Sequence, residues 1–255
     1  MLNNGNWTID LDANLSTNHN QVIETKNHKD VPNYVANDVT GSISIIREGY
    51  PLSAFFGPKF IGLNESGVPM YENVNGDKNA AGADIINSLD NQYLGSPYPK
   101  LFYGITPSVK YKKLSMSMLW SGVDGSLINN VGLAFLTSPT AINSANKLKV
   151  AEELYPVPSL DAANQHKSSS SRFMESGDFF RMRNIRLGYD FSFNEGSFLK
   201  NLTMYVSGQN LITFTKYSGF DPEVNSMSGN DRRQGLDFAA YPSAKTVTVG
   251  LSATF

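Results

Sequence analysis

AKTVTVGLSATF, residues 244–255, alternates without a fault. Val247, Val249, Leu251, Ala253 and Phe255 share one face of an extended chain, and Thr246, Thr248, Gly250, Ser252 and Thr254 share the other. Chain ends are usually polar and frayed. This one stops on an aromatic in the middle of a strand, as if the last residue had to be held in a sheet.

The same period of two recurs upstream. In NLTMYVSGQNLITF (201–214), Leu202, Met204, Val206 and Ile212 oppose Thr203, Tyr205, Ser207, Gln209 and Thr213. In FFRMRNIRLGYDFSF (179–193), Ile185, Leu187, Tyr189 and Phe191 oppose Asn184, Arg186, Asp190 and Ser192. Arg181 and Arg183 break the parity there, which predicts a bulge near Asn184. KLSMSMLWSGV (113–123) and LFYGITPSVKY (101–111) alternate as well, with a very short turn near Lys112. WTIDLDANLS (7–16) opens the series and is expected to run on to about Ile23. GSISIIREG (41–49) and LSAFFGPKFIGL (52–63), separated by Gly49 and Pro51, read as one long bent strand. The expectation is seven strands, all antiparallel.

Several of these strands match the 9–11 residues that cross a bilayer at a tilt. Long connections alternate with short ones, the asymmetry of outer-membrane barrels, which carry short periplasmic turns and long extracellular loops. The stretch 24–40 is a misfit, too long for the turn it ought to be. A soluble antiparallel sandwich, acting as a binding or structural protein, also alternates and is the competing reading.

Composition excludes several classes. Charged residues are 17% of the 255, below the roughly 25% usual for soluble domains. The net charge of −2 gives no footprint for nucleic acid. With no cysteine, disulfides, thiolate metal sites and cysteine nucleophiles are excluded. No apolar run reaches the ~18 residues of a transmembrane helix, and MLNNGNW at the start lacks the basic and apolar regions of a signal peptide.

FMESGDFFRMRNIRLGY (173–189), MYVSGQNLITFTKYSGFDPEV (204–224) and AAYPSAKTVTVGLSATF (239–255) resemble the end of SusC/RagA-type TonB-dependent outer-membrane transporters. REGYPLSAFFGPKFIGLNESGVPMY (47–71) and LGSPYPKLFYGITPSVKYK (94–112) resemble that family more loosely. The block carrying Gly208, Gln209, Asn210, Gly219, Asp221 and Pro222 is the most specific part. The resemblance implies an all-β, antiparallel transmembrane barrel segment: residues 1–255 supply about seven strands of a barrel of about 22, an open curved sheet if isolated. Plug domain, TonB-contacting segment and N-terminal strands are expected to lie outside it. It further implies a multi-pass β-barrel in the outer membrane of a Gram-negative bacterium, importing glycan or peptide substrates. The implied partners are the rest of the barrel and plug, a SusD-like surface lipoprotein, TonB and outer-membrane lipid. Thr248, Gly250 and Phe255 match the family's terminal barrel-assembly signal, with Ala253 where a larger hydrophobic residue is common.

No catalytic constellation, cofactor motif or metal-ligand spacing stands out, so an enzyme is not expected. His19, His28 and His166 are far apart in sequence. Asp221, Glu223, Asp231 and Asp237 could supply oxygen ligands to calcium, although solvated loop carboxylates are the simpler expectation. Arg181, Arg183 and Arg186 fit two readings of equal weight, charges facing the lumen or charges at the membrane rim. Tyr93, Tyr98, Phe102, Tyr103, Phe179, Phe180, Tyr217 and Phe220 are expected to form an interfacial girdle, with sugar stacking as the alternative.

Overall fold

The structure, a computed structural model, describes residues 2–32, 44–76, 80–82, 86, 88–138, 146–156, 169–194, 198–223, 226, 234–238 and 240–255. Its largest element is a seven-stranded sheet whose strands follow one another in chain order, every pair antiparallel. The strands are β1 (Leu2–Asn4), β2 (Trp7–Thr17), β3 (Leu101–Tyr111), β4 (Leu114–Asp124), β5 (Phe179–Ser192), β6 (Asn201–Thr215) and β7 (Thr246–Thr254). Among the described residues, β1 and β7 each pair on one side only, so the sheet is open.

Seven strands were expected, and one of them is different. β2 stops at Thr17 rather than near Ile23, because Asn18, His19, Asn20 and Gln21 have no apolar face to continue. The last rung there is the Asn18 N–H donated to the Lys100 carbonyl at 2.9 Å. Residues 44–63 do not cross the sheet. They form three short strands, Ser44–Ile46, Ala54–Gly57 and Phe60–Leu63. The reason lies in the run itself. Ala54, Phe55, Phe56 and Gly57 are all buried, as in a strand covered on both faces, not one that alternates between two environments. The seventh strand is instead β1, which turns into β2 at Gly5, where φ is +59°.

With β1 as the first strand, no misfit remains at 24–40. Connections leaving one edge of the sheet are now all short: Gly5–Asn6, Lys112–Lys113 and 193–200. Those leaving the other are all long: 18–100, 125–178 and 216–245. Lys112 takes the left-handed backbone (φ +52°) that a two-residue hairpin requires.

The register sorts the side chains. One rung runs Val249, Val206, Leu187, Met116, Val109, Ile9. The neighbouring rung, on the opposite face, runs Thr248, Ser207, Arg186, Ser117, Ser108, Asp10. Between the Trp7–Tyr111 pair and the Tyr103–Gly122 pair, the apolar face carries no charged residue. It is also uncovered, with Leu15 and Val249 each 71% exposed.

Aromatics mark both limits of this band. At the turn edge, Trp7 lies 4.3 Å from Tyr111 and Phe198 5.0 Å from Phe255, ring centre to ring centre. At the loop edge, Tyr103, Phe180, Trp120 and Phe214 stack in a row at 4.9–6.2 Å. From Tyr103 to Tyr111 the strand covers about 26 Å. At barrel tilts of 35–45° this becomes a height of about 20 Å, near the roughly 25 Å apolar band of outer-membrane barrels.

Apart from Phe179 and Met182 on β5, the core is not in this sheet. It lies in a cap built from the long connections. Phe55 and Leu236 pack with Leu94, Leu127 and Met174. Ile128 packs with Tyr217, and Tyr71 with Ala81, Ile86 and Phe60. The cap holds three small sheets and a short helix, α1 (Val131–Thr137), whose Leu133 N–H is capped by the Asn130 side-chain oxygen at 2.8 Å.

Candidate functional site

The parity break at Arg183 organises the site where the seven-stranded sheet, the wall, meets the cap. Leu119 faces Asn184 and Trp120 faces Met182, so Arg183 is an extra residue relative to β4. On the other side, Met182 faces Ile212 and Asn184 faces Gln209, which leaves Asn210 and Leu211 opposite Arg183 alone. The bulge near Asn184 is therefore real, and it has a consequence. It returns Arg181 to the polar face, beside Ser121 and Thr213.

Arg181 is 2% exposed. Its Nε donates to Thr213 Oγ1 at 2.9 Å and its Nη1 to Ser243 Oγ at 3.2 Å. Nη2 reaches Asp221 Oδ1 at 2.5 Å, and Nη1 lies 2.6 Å from Glu223 Oε2. Arg183 donates to Ser121 Oγ at 2.7 Å and grips both oxygens of Glu223 in a bidentate pair. Both guanidiniums sit 5.5 Å from the centre of the Phe179 ring.

Asp221 is the hub on the loop side. Its Oδ1 accepts the Glu223 N–H at 3.0 Å and its Oδ2 the Ser243 N–H at 2.8 Å. One carboxylate thus joins the start of the 216–245 loop, its end, and the wall. Burial pushes this carboxyl upward, but the hydrogen bond from Arg181 and the amides of Glu223 and Ser243 outweigh it and hold it at about 2. Beside it, the buried Tyr217 hydroxyl donates to Asp237 Oδ2 at 2.5 Å. Desolvation and the Asp237 carboxylate push that phenol up. Glu175 holds the same turn, accepting from Ser218 N at 2.7 Å and from Asn130 Nδ2 at 2.9 Å.

The residues singled out in the sequence converge here. Gly208, Gln209 and Asn210 form the β6 side of the bulge. A Cβ on Gly208 would lie 2.5 Å from Leu211 Cδ1, and Asn210 has φ +53°. Gly219 lets the turn close on Tyr217, whose ring would meet a Cβ at 2.4 Å. Asp221 and Pro222 follow, the first in the clamp, the second in a cavity beside it. Two motifs about ten residues apart in sequence are thus joined through Arg181 and Arg183, a link the spacing alone could not show.

Arg186 also lies on the polar face, its guanidinium 4.3 Å from the centre of the Tyr205 ring. Tyr205 in turn covers Gly250, where a Cβ would lie 2.3 Å from the ring. Thr248 pairs with Ser207 on the polar face, and Phe255 lies against Phe198 at the turn edge. Asp221 and Asp237 are neither solvated nor grouped as metal ligands, because each is buried and hydrogen-bonded to a cation or hydroxyl. Among the described residues no cluster suited to a metal occurs; Asp231 and His166 lie outside them. His28 Nδ1 meets Glu48 at 3.0 Å, and His19 is exposed. Of the eight aromatics expected in a girdle, Tyr103 and Phe180 take that place, joined by Trp120 and Phe214. Tyr93 packs with Tyr50 and Phe56 in the cap, Tyr217 is buried, Phe220 is 81% exposed, and Phe102 and Phe179 lie on the polar face.

No family model matches the chain. TonB-dependent receptor P3 of Formosa agariphila is 28% identical over 277 residues, covering 100% of this chain and 27% of the receptor. TonB-dependent receptor SusC of Bacteroides thetaiotaomicron is 28% identical over 267 residues, covering 98% of this chain and 24% of SusC. The chain spans about a quarter of the length of these relatives. Among solved structures, the RagAB peptide importer in its closed-closed state matches 100% of this chain and 28% of its own, with TM-score 0.80 at 21% identity. The open-open state gives 0.79 at 21% identity, covering 100% of this chain and 27% of its own. Over nearly its whole length, then, this chain is similar in sequence to TonB-dependent receptors that include SusC, and it has the fold of the matching part of the RagAB importer.

Proposed function

We propose that this chain forms seven consecutive strands of the wall of a larger, closed outer-membrane barrel, together with part of its extracellular cap. The complete receptor is a TonB-dependent importer of oligosaccharides or peptides, not an enzyme, and works with a SusD-like surface lipoprotein in a Gram-negative bacterium. The observation that carries this reading is the uncharged apolar face, bounded by aromatics at both limits and left uncovered. Water is a poor solvent for such a face, whereas hydrocarbon suits its middle and head groups suit its rims. The polar face, with Asp10, Ser108, Ser117, Arg186 and Ser207 in one rung, then lines the lumen.

Under this reading Thr248, Gly250 and Phe255 act as the assembly signal, and Phe255 marks the periplasmic rim. Arg181 and Arg183 face the lumen side but are already paired, so they hold the wall to the cap instead of selecting solutes. The test is fractionation and growth. The receptor carrying this chain should be found in the outer membrane and migrate differently before and after boiling. Deleting its gene should abolish growth on at least one oligosaccharide or peptide source. A receptor found in the soluble fraction would overturn the reading.

A further inference from the structure

A cavity of about 220 Å³ opens between wall and cap, next to the arginine clamp. Its wall side is Val123 and Phe179, which face each other across β4 and β5 on the polar face. Pro97, Pro99 and Pro222 come from the cap, and Glu223 and Gln234 stand among the polar lining. The volume lies below the 300–1,000 Å³ of sites that enclose a whole small ligand. It suits one group of a larger molecule.

The lining discriminates between groups. Sugar rings are commonly held by an open aromatic face with several hydroxyl partners around it. The one aromatic ring lining this cavity, Phe179, is 6% exposed and lies under two guanidiniums. The rest of the lining joins proline rings and the aliphatic side chains of Val123, Leu127 and Ile128, which desolvate alkyl groups, to a few polar groups at Ser126, Glu223 and Gln234. Among the described residues an anionic group finds no free cation here, since Arg181 and Arg183 are both engaged by Asp221 and Glu223. Glu223 is fixed in place by that clamp, and a carboxylate with two oxygens retains lone pairs for a further N–H donor. Prolines contribute no N–H of their own, so the apolar part makes no polar demand on its occupant.

We propose that this cavity is an anchor pocket for an aliphatic side chain of a peptide, with the peptide's adjacent backbone N–H donated to Glu223. The assignment rests on the transport reading and chooses between its two substrate classes. Seated at the loop edge of the polar face, the pocket meets solute entering from the cap side.

The experiment uses the complete receptor in detergent and isothermal titration with three probes: Gly-Gly-Leu-Gly-Gly, Gly-Gly-Ser-Gly-Gly and maltohexaose. The leucine peptide should bind at least tenfold more tightly than the serine peptide. Val123→Trp, which fills the cavity from the wall, should remove that difference while the heat-modifiable migration stays as in the parent. Gln234→Trp, which obstructs it from the loop, provides the same readout if Val123→Trp fails to assemble. Equal binding of the two peptides, or a discrimination that survives filling, would overturn the proposal. So would binding of maltohexaose that either variant abolishes, since that would make it a sugar site. Failure of the transport reading shows itself separately, as a receptor absent from the outer membrane.

Discussion

Arg181→Met, made in the complete receptor, tests whether the clamp holds the last loop to the wall. The side chains of Arg181 and Asp221 are 3% and 5% exposed, so neither is screened by water. Removing one partner of a buried pair costs about 3–5 kcal/mol, chiefly because the other charge stays buried and unpaired. Thr213 and Ser243 lose a donor as well, adding about 1 kcal/mol each. Arg183 retains Glu223 and limits the loss on that side. Taking the lower figure of about 3 kcal/mol, the loop's opening equilibrium should rise by about a hundredfold. Trypsin cleavage after Lys216, at the root of the loop, reads this opening directly in folded receptor. The double variant Arg181→Met with Asp221→Leu removes both buried charges and should open less than Arg181→Met alone. A single variant within a factor of three of the parent, or a double variant worse than the single, would refute the clamp.

Three further outcomes follow from the same geometry. Arg at a lipid-facing midplane position costs about 2–4 kcal/mol, so Val249→Arg should lower the barrel's melting temperature much more than Thr248→Arg; the reverse order would mean that the faces are interchanged. Cysteines introduced in place of Phe220 and Lys113 lie at opposite edges of the sheet, so an impermeant maleimide should label the first and not the second on intact cells. The Asp221 carboxyl is held at about 2, below its unfolded value near 4. Its contribution is therefore fully present above about pH 4 and lost as pH falls toward 2. Protection at Lys216 should be flat from pH 5 to 8 and decline only in strong acid, and loss of protection between pH 7 and 5 would contradict the assignment.

The wall was legible in the sequence and most of the cap was not, for one physical reason. A strand with different surroundings on its two faces must alternate, and β3 to β7 show this rung by rung. One cap strand meets protein on both faces. Ala54–Gly57 is apolar throughout, and its period is lost. Reading that run as part of a wall strand was the natural error, and the over-long turn at 24–40 was its symptom. The clamp was half legible. Arg181 and Arg183 announced a bulge by breaking parity, but their partners Asp221 and Glu223 lie beyond β6, and nothing in their spacing says which cation each will meet. Solvated carboxylates is the default reading there; burial reverses it for Asp221, whereas Glu223 stays exposed and is held by the two arginines.

The two ends of the sheet bear most directly on what this chain needs around it. β7 pairs with β6 from Thr246 to Thr254 and offers its other edge to nothing among the described residues. β1 spans Leu2–Asn4 only, so most of the outer edge of β2 is open too among the described residues. On the barrel reading each unpaired N–H and C=O would face hydrocarbon at a cost of several kcal/mol, which strongly disfavours an open edge along the nine residues of β7. β1 and β7 also point the same way, because an odd number of alternating strands leaves first and last parallel, whereas single-chain bacterial barrels close antiparallel with an even count. Joining β1 directly to β7 would therefore break the up-and-down rule that every other pair obeys. The edges are consistent instead with further strands between them, an odd number if the complete wall is even. In such a wall Tyr205, lying across Gly250, would stiffen the strand that makes the closing pair.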